Sequence, residues 1–308
     1  MFNIQYFTMN LKTLSFVIPV FFSCGAFGQI SGLENIIESG SALEKLADTF
    51  LFTEGPSADS KRNIYFTDQP NDRIMVWSVS GELSVFLQPS GRSNGLSFDK
   101  DGYLWACADE KNELWRIAPD KTIEVFPAKY KDKLLNGPND LWITRSLGIY
   151  FTDPFYKRPW WSHSVMPQDC QGVYYLAPGQ KTPVRVIDDL VQPNGIAGTA
   201  DGKTLYIADM GGKKTWKYTI NKDGGLSNKT LFCEMGSDGM TIDSKGNLYL
   251  TGNGVTIFDK SGKQLGNIPV PQSWTANVCF GGPDMKTLYI TASKGFYRIK
   301  LKVKGTSA

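Results

Sequence analysis

Six positions in the 308-residue chain carry oxygen-bearing side chains at matching places in similar stretches: Glu54, Asn94, Asn139, Asn194, Asp238 and Asn277. Each opens a short run, then a turn, then an apolar run: "EGPSADSKRNIYFTD" from Glu54, "NGLSFDKDGYLWACAD" from Asn94, "NDLWITRSLGIYFTD" from Asn139. The others are "NGIAGTADGKTLYIAD" from Asn194, "DGMTIDSKGNLYLTG" from Asp238 and "NVCFGGPDMKTLYITA" from Asn277. Carboxylate and amide oxygens are hard donors that suit Ca²⁺ or Mg²⁺. Gathered in one place without a counter-ion, two carboxylates must protonate or take up a cation. Any one of these residues alone reads as an ordinary turn residue; six in register, two of them acidic, read as a site. A cation with one side open polarises a carbonyl or phosphoryl oxygen, and an acid beside it activates water or attacks directly. That chemistry suffices for an activated ester. An amide would also need an acid for its amine leaving group, and none is apparent.

The elements that must gather these side chains can be read from the repeat. The six positions are 40, 45, 55, 44 and 39 residues apart, a period typical of propeller blades. Within a unit, turns such as Asp101-Gly102 separate the first two runs. Third and fourth runs such as "LWRIAP" and "IEVFP" come next. Four antiparallel strands per unit, repeated radially six times, make an all-β six-bladed β-propeller. The innermost strand of each blade lines the central channel, so a residue at its entrance faces the axis, where a metal site is expected. "EKLADTF" (Glu44 to Phe50) precedes the first unit and is placed to supply the outer strand of the last blade. Only the stretch from Leu33 to Leu46 hints at a helical period.

With 33 Lys and Arg against 30 Asp and Glu, and no basic cluster, a nucleic-acid partner is not expected. Lys12, the apolar run Leu14 to Phe22 and the small-residue site Ala26-Phe27-Gly28 form the pattern of a secretory signal peptide over residues 1–28. Cleavage near Gly28 would leave residues 29–308 as one propeller domain, periplasmic or secreted, without stable membrane insertion. Lipidation at Cys24 is disfavoured by the Phe-Phe-Ser before it. Cys107, Cys170, Cys233 and Cys279 lack zinc-ligand spacing and read as free thiols rather than a disulfide. "GRSNG" (Gly91 to Gly95) matches a nucleophile elbow, but the residues after it read as a strand rather than the required helix.

The motifs "FTEGPS", "PNDLWITRSLGIYFTDP", "QGVYYL", "QPNGIA", "SDGMTID" and "CFGGPDMKTLYIT" together resemble the SMP-30/gluconolactonase family, in its bacterial gluconolactonase-like branch, from about Glu44 to Leu301. The resemblance implies a divalent cation, typically Ca²⁺, with Mg²⁺, Mn²⁺ or Zn²⁺ as alternatives. Its ligands would be Glu54, Asn139, Asn194 and Asp238. Asp238 would be base or nucleophile, with Asn139 beside it in the catalytic pair, and Asp140 would lie close to substrate. Asn94 and Asn277 complete the ring as substrate contacts. The implied partner is a small sugar lactone, opened to its aldonic acid. An organophosphate hydrolase and a non-catalytic ligand-binding propeller with a structural ion are the alternatives. The longest gap holds "FYKRPWWSHSVMPQDC", with Trp160 and Trp161 as a lid, a sugar-stacking platform or a packed surface loop, and with His163, the only histidine.

Overall fold

A computed structural model describes residues 32–126 and 129–306. The expected signal peptide, residues 1–28, and Cys24 lie outside the described residues. Six four-stranded antiparallel sheets form, five of them from strands consecutive in sequence. Their inner strands are Thr53–Ala58, Ser93–Phe98, Leu141–Ile143, Pro193–Gly198, Met240–Ile242 and Asn277–Gly281. Each touches the next, and the last touches the first, so the ring is closed. The chain is a six-bladed β-propeller.

Blade 6 is closed as expected. Glu44–Ala47 pairs antiparallel with Gly295–Lys300, the third strand of that blade. Arg298 forks onto Glu44 at 2.7 and 3.1 Å, but an exposed pair of this kind contributes at most about 1 kcal/mol. The join rests more on the buried stack of Phe66 (blade 1) against Phe296 (blade 6), 4.3 Å between ring centroids.

The second strands, such as Ile149–Asp153 and Leu248–Gly252, are buried throughout their length because a sheet packs on each face. The alternation that β-branched and aromatic second runs such as "IYFTD" and "LYLTG" suggest in sequence is thus overridden by burial on both faces. Outer strands such as Val184–Ile187 are partly exposed. The core divides into six wedges, one at each blade–blade interface; Ile74 of blade 1 meets Leu96, Leu104 and Ile117 of blade 2 in one of them.

The helical hint from Leu33 to Leu46 resolves otherwise. Ile36 and Ile37 both donate to the Leu33 carbonyl in a single turn. The three side chains are buried against blades 5 and 6. Gly40, at φ 80°, ends the turn before the strand from Glu44. The apolar spacing marks a tucked turn rather than a helix. No helix among the described residues is long and apolar enough to cross a membrane. Cys107, Cys170, Cys233 and Cys279 are free thiols.

Candidate active site

The chain just before several inner strands is held by a side chain at the end of the same blade's second strand. Asp68 accepts the Leu51 amide at 3.0 Å, ahead of Glu54. Asp153 accepts the Asn136 and Gly137 amides at 2.9 and 2.8 Å, ahead of Asn139. Asp209 accepts the Gln192 amide at 2.8 Å, ahead of Asn194. In blade 5 a threonine does this work: Thr251 Oγ1 accepts the Gly239 amide at 2.8 Å, next to Asp238. Glycine after the ring residue allows neighbouring inner strands to close on one another. The Gly95 amide donates to the Asn139 carbonyl at 2.8 Å, and a Cβ at Gly95 would stand 2.6 Å from that oxygen.

The ring residues meet across blades. Asn277 Nδ2 donates to Glu54 Oε2 at 3.0 Å, joining the first and last units. Asn194 Nδ2 donates to Asp238 Oδ1 at 2.7 Å. The Glu54 carboxylate also accepts the Gly55 amide. Asn139 and Asn94 are buried as well. Asp140 is buried too, its Oδ1 accepting the Leu141 amide at 2.9 Å. Glu54 is 3 % exposed, whereas Asp238 is only half-buried.

Burial drives the Glu54 carboxyl well above its usual range, and the nearby Asp238 and Asp140 push it further. Burial also raises Asp140 to about 7, against hydrogen bonds from backbone amides. Asp238 is raised to about 6 by burial, although Trp274, Asn194 and Arg158 pull it down. Three acids thus share a space in which no ring member is cationic, and a bound cation would reverse their shifts. Two further observations fit such an ion. Asn94 Oδ1 and Asn194 Oδ1 are buried acceptors without a hydrogen-bond partner. Among the described residues no three His, Cys, Asp or Glu side chains form a metal cluster by themselves, so amide oxygens must complete the donor set. Glu54, Asn139, Asn194 and Asp238 can hold a hard divalent ion on these terms.

Residues 154–171, between the second and third strands of blade 3, form the inserted loop. It is packed onto the propeller. Arg158 Nε lies 2.7 Å from Asp109 Oδ2, and Trp161 Nε1 donates to the Asp109 carbonyl at 2.7 Å. The Trp160 ring faces the Arg92 guanidinium at 4.7 Å. His163 stacks on Trp161 at 4.9 Å instead of standing in solvent, and its Nε2 is buried without a partner. Two partners of the ring and one anchor of the loop were not singled out from sequence. Trp274 Nε1 donates to Asp238 Oδ2 at 2.6 Å, Tyr156 accepts from Asn194 Nδ2 at 3.0 Å, and Asp109 anchors the loop. Trp274 sits three residues before Asn277, a signal only in hindsight; Tyr156 carried none, and Asp109 stood out only as the closing aspartate of its repeat unit. A cavity of 680 Å³ opens at the opposite end of the pore and meets the predicted residues only at Asp140 and Asn277. It is lined mainly by the far ends of the inner strands, away from the paired carboxylates. Ser93 of "GRSNG" begins an inner strand and is buried, donating to the Ser90 carbonyl at 2.6 Å.

Comparison with known proteins places this geometry. Residues 52–294 match the family described as SMP-30/Gluconolactonase/LRE-like region. A gluconolactonase of Zymomonas mobilis is 29% identical over 304 residues, covering 89% of this chain and 85% of its own. The solved structure of a gluconolactonase from Xanthomonas campestris superposes with a TM-score of 0.81 at 27% identity, covering 88% of this chain and 93% of that one. A calcium-binding regucalcin from Agrobacterium tumefaciens, at 20% identity and a TM-score of 0.73 over 86% of this chain and 96% of its own, shares the fold. The chain belongs to the SMP-30/gluconolactonase/LRE-like family.

Proposed function

We propose that the protein is an exported, divalent-metal-dependent lactonase that opens a sugar lactone to its aldonic acid. The observation that carries the reading is the contrast between the acids of the ring. Glu54 is closed off and Asp140 borders the cavity at the other end of the pore, while Asp238 keeps solvent access and has its carboxylate oriented by Trp274 and Asn194. Water and an oriented carboxylate therefore meet at Asp238. A gluconolactonase relative aligned over most of the chain supports the ester class. The apolar leader of residues 1–28 is the basis for export.

Glu54, Asn139, Asn194 and Asp238 would hold the ion, for which Ca²⁺ best matches all-oxygen donors. An ion held by them would supply polarisation of the lactone carbonyl. Asp238 takes a proton from the water that attacks the carbonyl carbon. The bond from that carbon to the ring oxygen breaks, and the ring oxygen leaves as a hydroxyl once protonated. Water is added across one bond and no other reactant is consumed. Asn94, Asp140 and Asn277 offer polar atoms to the sugar hydroxyls, and Trp160, in the inserted loop against Arg92, offers an aromatic face.

A panel of aldono-lactones, with a phosphotriester included, is the test. Lactone turnover that is lost on chelation and restored by Ca²⁺ is the expected result. Turnover of the phosphotriester alone would reassign the ester, and no turnover with tight Ca²⁺ binding would make this a binding propeller with a structural ion.

A further inference from the structure

Asn194 has two amide hydrogens and both are engaged. Nδ2 donates to Asp238 Oδ1 at 2.7 Å and to the Tyr156 hydroxyl at 3.0 Å. Flipping the amide would set its oxygen against the Asp238 carboxylate, so the assignment of N and O follows from charge. With the nitrogen held on both sides, Oδ1 is left buried and without a partner. Tyr156 enters from the inserted loop of blade 3, while Asn194 belongs to blade 4. The ring of Tyr156 lies under the Arg158 guanidinium at 5.5 Å, and Arg158 is in turn paired with the buried Asp109 at 2.7 Å. On the other side, the Phe155 amide donates to Gln171 Oε1 at 2.8 Å. The phenol is therefore held in place from both directions along the chain.

We infer that Tyr156 is a positioning residue for the ion site, acting through Asn194: it fixes the amide so that Oδ1 is presented to the cation. The inference rests on the ion site of the proposed function. It gives the loop a role in ion binding, where a lid or sugar platform would have none. Partners that orient a ligand from behind typically account for about 10–100-fold in ion affinity.

Calorimetric titration of the whole protein with Ca²⁺ tests this without any substrate. Tyr156→Phe should weaken Ca²⁺ binding at least about tenfold, with the thermal midpoint of the ion-free protein unchanged. The exposed neighbour Lys157→Ala should bind as the wild type does. Asn194→Ala should weaken binding, and adding Tyr156→Phe to it should weaken binding no further, because coupled residues do not add. Unchanged affinity in Tyr156→Phe, or full additivity with Asn194→Ala, overturns the role of Tyr156 and leaves the ion site standing. A wild type that takes up no Ca²⁺ overturns both.

Discussion

Glu54 and Asn277 are hydrogen-bonded across 223 positions of sequence yet sit at the same place in their blades. Tyr156, Arg158 and Trp161 reach the same ring or its surroundings from a segment matched by no other blade. Between Gly252 and Gly254 of blade 5, the equivalent connection is the single residue Asn253. The ring is held redundantly, since Asp68, Asp153, Asp209 and Thr251 each fix one inner-strand entrance. The loop depends on Asp109, which receives both Arg158 and the Trp161 indole. A repeat can build a symmetric ring of oxygens, but it cannot make one member differ from the rest. The insertion and the indole of Trp274 supply that asymmetry.

If this division is right, damage to the ring abolishes the reaction and damage to the loop tunes it. The largest effect is expected at Asp238. Asp238→Asn should lower lactone kcat/KM by about 10²–10⁴-fold, the range for losing a positioned base, with an unchanged circular dichroism spectrum. Full activity in that variant would remove the ring from the chemistry.

The anchor of the loop should show itself in pH dependence. Burial lifts Asp109 to about 6 in the folded protein, while Arg158 and Gln69 pull it back; in the unfolded chain it titrates near 3.8. Between those values the folded state holds the additional proton, so stability falls as pH rises through the window and is flat above it. Two pKa units correspond to roughly 3 kcal/mol. Urea midpoints from pH 4 to 7 should therefore decline, and Asp109→Asn should flatten the part below about pH 6. Asp153 and Asp140, each raised to about 7 by burial, and Asp238, raised to about 6, leave a residual slope in the ion-free protein. An unchanged slope in Asp109→Asn would mean that the Arg158 pair, and not burial, governs the anchor.

The smallest effect is expected at Trp160. Trp160→Ala should raise KM several-fold, about 1 kcal/mol of lost contact, with kcat little changed. A large fall in kcat instead would move this loop residue into the chemistry and blur the division.

Much of this was readable in the residues themselves. The blade pattern recurs with period, because a short strand, a tight turn and a β-branched or aromatic second strand are local demands that every unit must meet. The closing segment Glu44 to Phe50 was readable for the same reason: a ring with one strand missing admits few donors. The turn at Leu33 was misleading, since one buried turn and a helix share the same apolar spacing over so short a stretch.

Other features were decided only by the tertiary structure. Glu54 and Asp238 look alike in sequence, but only the fold closes one off and leaves the other half-open. Tyr156 and Trp274 occupy no repeating position, and nothing in Asp109, the closing aspartate of its unit, shows that it receives the loop. Their partners lie 38, 36 and, for the Asp109 carbonyl with Trp161, 52 residues away. The amino-acid order by itself determined which residues line the axis, because strand periodicity and blade period are local. Which of them stays solvent-accessible and is held by outside partners was settled by contacts between blades and from the inserted loop, because hydrogen-bond geometry and burial exist only once separate strands have been brought together.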